Sequence, residues 1–232
     1  MKKDNSESEY QWFLRLNKKL SAEKDKKYGD LLKSMQVLFG DEIKSFDDLE
    51  NVSTGVFLKN MEVCVNVINQ YPDKAGAKYA LSNILDERND LTYLQYCDLF
   101  LMLNRSSRDF PYMRGDVANY IVDNLDKSNS EHFLNFLDNL KNDGIDRFVL
   151  LLGLKKVDKK YMPKIIELLR RDVIETTNIS ISAKVARRLK TVSLLKDFKK
   201  ALPKIKDSEI KRNVQKTIEV LEKEIENNKW KS

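Results

Sequence analysis

Glycine and proline are scarce in this 232-residue chain, at seven and four residues. All-β folds need frequent turns built on them, and disordered segments are commonly proline-rich, so both classes are disfavoured. Cysteine occurs twice, as Cys64 and Cys97, both in apolar stretches with helical spacing. Two thiols make no disulfide framework, and buried thiols are usually inert. The single histidine, His132, cannot build a metal cluster, and no cysteine or carboxylate group stands at ligand spacing around it. It reads as a surface or half-buried residue near a helix start rather than as a lone general base. No G-x-G-x-x-G, Walker or G-x-S-x-G segment occurs. Long apolar runs are missing too: the longest, Phe148 to Leu154, has seven residues, and a membrane-spanning helix needs about 20. The polar start, Met1-Lys2-Lys3-Asp4-Asn5, has no apolar core behind it and no character of a secretory signal. The expectations are a cytoplasmic protein with no membrane partner, no metal, no cofactor and no catalytic residue.

What is abundant is charge and helix-forming residues. Asp, Glu, Lys and Arg make up 34% of the chain, and hydrophobic residues 41%. With few breakers, such a composition favours helices. Net charge is +6, unevenly distributed: +3 over residues 1–40, −8 over 41–154 and +11 over 155–232. Such asymmetry implies two electrostatic faces rather than a uniformly basic coat.

Apolar residues recur at helical spacing almost throughout. Tyr10, Phe13 and Leu14 mark a first helix, and Ser21 is placed as the N-cap of a second that ends at Gly40. Phe57, Met61, Cys64, Val65 and Ile68 stripe a third, stopped by Pro72, and Asp73 caps the next. Asp90, Pro111 and Ser130 open further helices, Asn142-Asp143-Gly144 interrupts, and four more cover roughly 160–174, 180–192, 193–202 and 207–228. About a dozen helices with short connections and no strand are predicted. The pattern i, i+3, i+4, i+7 begins at Ala77, Val117, Ile145, Val185 and Val214, at gaps of 40, 28, 40 and 29. Helix-pair repeats have periods of about 34 to 47 residues. The fold class is therefore all-α, with antiparallel helix pairs stacked into a superhelix; an irregular helical bundle is the alternative. Residues 1–72 read as N-terminal helices and 73–232 as the repeats, in one continuous domain.

Arg114-Gly115-Asp116-Val117-Ala118-Asn119-Tyr120-Ile121 and Ala183-Lys184-Val185-Ala186-Arg187-Arg188-Leu189 carry a family resemblance. Each resembles the second helix of a HEAT unit, where a small residue after Val lets neighbouring helices approach, and the likeness extends diffusely over 73–225. It implies an α-solenoid with an extended binding surface. Some HEAT-like proteins of this size and charge are alkylpurine DNA glycosylases, which hold DNA on a concave basic surface and use Trp and Asp of mid-chain helices. Here the tryptophans are Trp12 and Trp230, at the two ends, so no catalytic residue carries over.

Two surfaces are candidates for binding. Residues 183–212 hold eleven Lys or Arg and three acids. Lys184, Arg187 and Arg188, with Lys196, Lys200 and Lys204, fall at spacings that group them on helix faces, suited to a polyanion or an acidic partner. A solvated lysine-rich face is the plain alternative. Residues 90–126 are rich in aromatics and arginine, and Tyr93, Tyr96, Arg105, Arg108, Tyr112 and Arg114 fit a protein interface; ordinary packing beside a charged loop is the alternative. The function expected is that of a non-enzymatic protein-binding module: an adaptor, a scaffold or an immunity-type inhibitor. The alternative is a nucleic-acid-binding protein, including a relative of the HEAT-like glycosylases, acting through the basic C-terminal third.

Overall fold

A computed structural model of the chain describes residues 9–86, 90–105, 113–140, 146–176 and 178–229. Helix makes up 81% of the described residues, in twelve α-helices, with no strand among them. The chain divides into two compact units, Met1–Asp116 and Val117–Ser232.

The first unit contains α1 (Glu9–Lys27), α2 (Gly29–Phe39), α3 (Thr54–Gln70), α4 (Lys74–Leu85), α5 (Tyr93–Met102) and the start of α6 (Met113–Asp123). Local chemistry sets the ends. Gly40 closes α2 at a φ of 117°, where a side chain would be strained. Ser53 caps α3, and the Asp73 carboxylate accepts from Ala75 N and Gly76 N at the start of α4. α5 opens slightly later than Asp90 suggests, at Thr92, whose capping box with Gln95 satisfies two orphan backbone donors. Asp90 instead accepts from the Thr54 hydroxyl. Ser21 caps nothing: α1 runs straight through it, and its hydroxyl donates to Asp47 Oδ2 at 2.7 Å. A second departure in α1 is exposure. Tyr10, Phe13 and Leu14 form an apolar stripe in sequence, yet remain 71%, 53% and 49% exposed. The anchored part of α1 is its C-terminal half, where Asp25 accepts from Phe46 N at 3.0 Å and Lys24 lies over the Tyr79 ring.

The second unit holds the remainder of α6, then α7 (Ser130–Asn139), α8 (Asp146–Leu151), α9 (Met162–Ile174), α10 (Ile179–Leu189), α11 (Leu195–Ala201) and α12 (Ser208–Lys229). From α7 onward the packing is regular. Each helix touches its successor in the hairpins α7–α8, α9–α10 and α11–α12, and each also touches the helix two places on. One row is therefore α7, α9 and α11, and the other α8, α10 and α12. Side chains stitch both rows. Arg171 on α9 pairs with Asp138 on α7 at 2.7 Å, and Arg170 with Asp197 on α11 at 3.0 Å. In the other row, Asn213 and Thr217 of α12 donate to the carbonyls of Ser180 and Ala183 on α10. Ser182, Ala183 and Ala186 are buried there, and their small side chains permit the close approach. The repeat-marking residues Ala77, Val117, Val185 and Val214 are all buried; Ile145 lies outside the described residues.

A buried charge cluster knots the second unit together. Arg147 on α8 pairs with Asp172 on α9, both 1% exposed. Arg147 also donates through Nε to the Leu137 carbonyl near the end of α7, and the Ser182 hydroxyl of α10 donates to Asp172. Four helices thus meet at one ion pair. Burial pushes the Asp172 carboxyl above its ordinary value, and the Arg147 guanidinium pulls against that.

Candidate functional site

Among the described residues, the expected aromatic interface does not assemble. Tyr93 and Tyr96, at 5% and 0% exposure, are core residues of α5. Arg114, at 6% exposure, is also buried. Its Nε donates to the Leu103 carbonyl at 2.7 Å and its Nη2 to that of Leu101 at 3.3 Å, with the guanidinium over the Phe100 ring. It closes the C-terminus of α5, where carbonyls lack helical partners. Arg105 is exposed, while Arg108 and Tyr112 lie outside the described residues. What looked like an interface is largely internal packing, because large aromatics serve both purposes and only their neighbours decide which.

The thiols are structural. Cys64 and Cys97 are both buried. Burial pushes the Cys97 thiol up to about 11, against a downward pull from its hydrogen bond with Tyr93. The thiolate is the reactive form, so at pH 8 only about one molecule in a thousand presents it at Cys97. Native protein is expected to release almost no colour with Ellman's reagent, and urea-unfolded protein two thiols per chain. Rapid labelling of the native state would contradict this. His132 is exposed and stacks on Phe136 at a centroid separation of 6.3 Å. Among the described residues, no group of three or more His, Cys, Asp or Glu could hold a metal ion. None of their helices is long and apolar enough to cross a membrane.

The basic residues divide. Lys184 and Arg188 lie four apart on the exposed face of α10 and form no ion pair with a described residue. Lys196, Lys200 and Lys204 are equally exposed, on α11 and the 3-10 turn that follows. α10 and α11 belong to different rows, so the two sets stand on helices of different rows. Arg187 belongs to neither. It is half-buried and reaches Asn213 and Thr217 of α12 at 3.4 and 3.5 Å, so it bridges helices. The four-residue spacing places Lys184 and Arg188 together on α10 and Lys196 and Lys200 together on α11, with Lys204 beyond the end of that helix, but spacing does not say which row each helix joins.

A further group of cations escaped the sequence reading because it lies in connections rather than on helix faces. The α6–α7, α8–α9 and α10–α11 connections each contain lysine just after a leucine: Leu125-Asp126-Lys127, Leu154-Lys155-Lys156 and Leu189-Lys190. Leucine followed by lysine also occurs inside helices, as at Leu32-Lys33 in α2 and Leu58-Lys59 in α3, so no local signal marks these connections.

Fold and surface together define, over the described residues, an all-α protein with exposed basic residues on several of its helices. Comparison with family models, curated proteins and solved structures found no match for the chain.

Proposed function

We propose that the chain is a non-enzymatic binding module of HEAT-like stacked helical hairpins, and that its partner is another protein presenting an acidic surface. The observation that carries this reading is the packing of α7 to α12, in which each helix contacts its successor within a hairpin and its counterpart in the next hairpin. Repeats joined this way continue into a superhelix and offer extended surfaces for binding, with the adaptor, scaffold and inhibitor roles all using such a surface. The exposed pair Lys184 and Arg188, four apart on α10, supplies charge complementary to an acidic partner. The cytoplasm is the expected compartment.

The test is affinity capture from the protein's own cells, with and without nuclease, using wild type and the Lys184→Glu/Arg188→Glu variant. A partner retained after nuclease and lost from the variant supports the reading. Arg187 is left intact, because its contacts to α12 would confound binding with folding.

A second reading, binding of nucleic acid, is favoured by one observation: Lys184, Arg188, Lys196, Lys200 and Lys204 are all exposed without an ion pair among the described residues. Each phosphate contact on duplex DNA would add about −0.9 to the log–log salt slope. No duplex binding at low salt would remove this reading, and loss of the captured partner on nuclease treatment would favour it over the first. The division of these cations between two rows argues against one continuous track along a duplex. Excision of damaged bases from duplex DNA by the purified protein would establish the glycosylase-like alternative.

A further inference from the structure

The three lysine-bearing connections converge on one cavity of the second unit, with a volume of about 520 Å³. Six cations line it: Lys127 from the α6–α7 connection, Lys155, Lys156 and Lys159 from the α8–α9 connection, and Arg188 and Lys190 from the end of α10. A single carboxylate, Asp158, lines it with them. That carboxylate is engaged in accepting from the backbone N–H of Lys160.

Two of the six cations are committed to the fold. Lys156 donates to the carbonyls of Val122 and Asp123 at 2.8 and 3.1 Å, anchoring its connection to the C-terminus of α6. Lys190 pairs with Glu224 of α12 at 3.0 Å. The other four, Lys127, Lys155, Lys159 and Arg188, are exposed, and their side chains make no hydrogen bond or ion pair with a described residue. Gathering like charges around one concavity is unfavourable unless something of opposite sign enters it. The floor is apolar, formed by Leu154, Val157, Ile165 and Leu189. The volume lies within the range of small-molecule sites, about 300 to 1,000 Å³.

We propose that this cavity binds a small molecule carrying an oligophosphate group. The charge count selects the ligand class. Four unpaired cations within one small cavity call for several negative charges on a short chain of atoms, which linked phosphates provide. Arg188 offers a planar fork that matches two phosphate oxygens, while the lysines act as point charges around it. The apolar floor accommodates an organic body attached to the phosphates. The binding shares Arg188 with the macromolecular role above but does not rest on it: Lys127, Lys155 and Lys159 line the cavity and take no part in that role, whereas Lys184, Lys196 and Lys200 line no part of the cavity.

The probes are sodium tripolyphosphate, adenosine triphosphate and inorganic phosphate, each titrated calorimetrically into the full chain at low ionic strength. The expected result is one saturable site for tripolyphosphate, with inorganic phosphate far weaker. The arms separate two sources of the same chemistry. Tighter binding of adenosine triphosphate identifies a nucleotide-like ligand using the apolar floor; equal binding identifies the free oligophosphate. Arg188→Gln and the double variant Lys155→Gln/Lys159→Gln are each expected to weaken tripolyphosphate binding about tenfold or more, the effect of losing a charge-assisted contact. These side chains are exposed and unbonded, and their removal relieves repulsion, so the melting temperature without ligand should not fall. Lys196→Gln/Lys200→Gln should leave the affinity within about twofold, because charges outside the cavity are screened by solvent and salt. The proposal is overturned if wild type shows no saturable site, if inorganic phosphate binds as tightly as tripolyphosphate, or if the α11 variant loses as much affinity as the cavity variants.

Discussion

Asp172→Ala is expected to destabilise the second unit by about 3–5 kcal/mol, among the largest effects of any single substitution in this chain. The carboxylate is the partner of Arg147, and both lie at 1% exposure. Removing it leaves a guanidinium in the core with its charge uncompensated. Arg147 would retain its bond to the Leu137 carbonyl, but a neutral acceptor does not replace an ionised one. Replacing both partners together, as Arg147→Met/Asp172→Leu, should recover most of the loss, because it removes the desolvation cost along with the attraction. Urea unfolding followed by circular dichroism checks both results. Since the chain has two compact units, the transition of the second should be fitted separately if two are seen. A loss below about 1 kcal/mol for Asp172→Ala would place the pair in a far wetter environment than its burial implies.

Phe133→Ala should have a comparable effect, about 3–5 kcal/mol, since it opens a cavity in a fully buried part of α7. The site is tight in the other direction as well. A Cβ on Gly153 would lie 2.7 Å from Phe133 Cζ and 3.2 Å from Leu125 Cδ2. Gly153→Ala should therefore cost about 1–3 kcal/mol through overpacking. The two positions are in contact, so their effects should not add. Phe133→Leu shortens the side chain at the point of collision, and Gly153→Ala placed on that background should cost less than on wild type, with a coupling of about 1 kcal/mol. Strict additivity in thermal or urea unfolding would contradict the contact.

Much of the helical organisation was legible in the chain itself. The stripes Phe57-Met61-Cys64-Val65-Ile68 and Ala77-Ala80-Leu81-Ile84 are buried as their spacing requires. Asp73 was readable as a cap because a carboxylate before a helical stripe can satisfy orphan N–H groups from its own sequence position. Ser21 was misread for the same reason in reverse. A serine inside a run of good helix formers satisfies its hydroxyl elsewhere, here on Asp47, twenty-six residues away. Neither spacing nor capping preference reports a partner at that distance.

Arg114 shows the limit more sharply. A long cation beside aromatic residues suits a surface site, and nothing local marks it for the core. It is buried because its length reaches the terminal carbonyls of α5 while its guanidinium covers Phe100. The same holds for Arg187 beside Arg188. They are adjacent in sequence and alike in chemistry, yet one bridges two helices and the other faces a cavity.

Local states are written in the chain: which segments are helical, which face of most of them is apolar, where many of them stop, and how charge is distributed along the chain. These depend on interactions within a turn or two, which residue type and spacing encode directly. The tertiary structure alone decided which cations share a surface. Lys127, Lys156 and Lys190 are separated by about one helix pair each, and stacking of successive hairpins brings their connections to one cavity. Arg188 joins them there from the end of α10, while Lys196 and Lys200, closer in sequence to Lys190 than Lys156 is, stand on the other row. Proximity there is set by how helices stack, and stacking is a sum over many buried contacts that no short stretch of sequence contains.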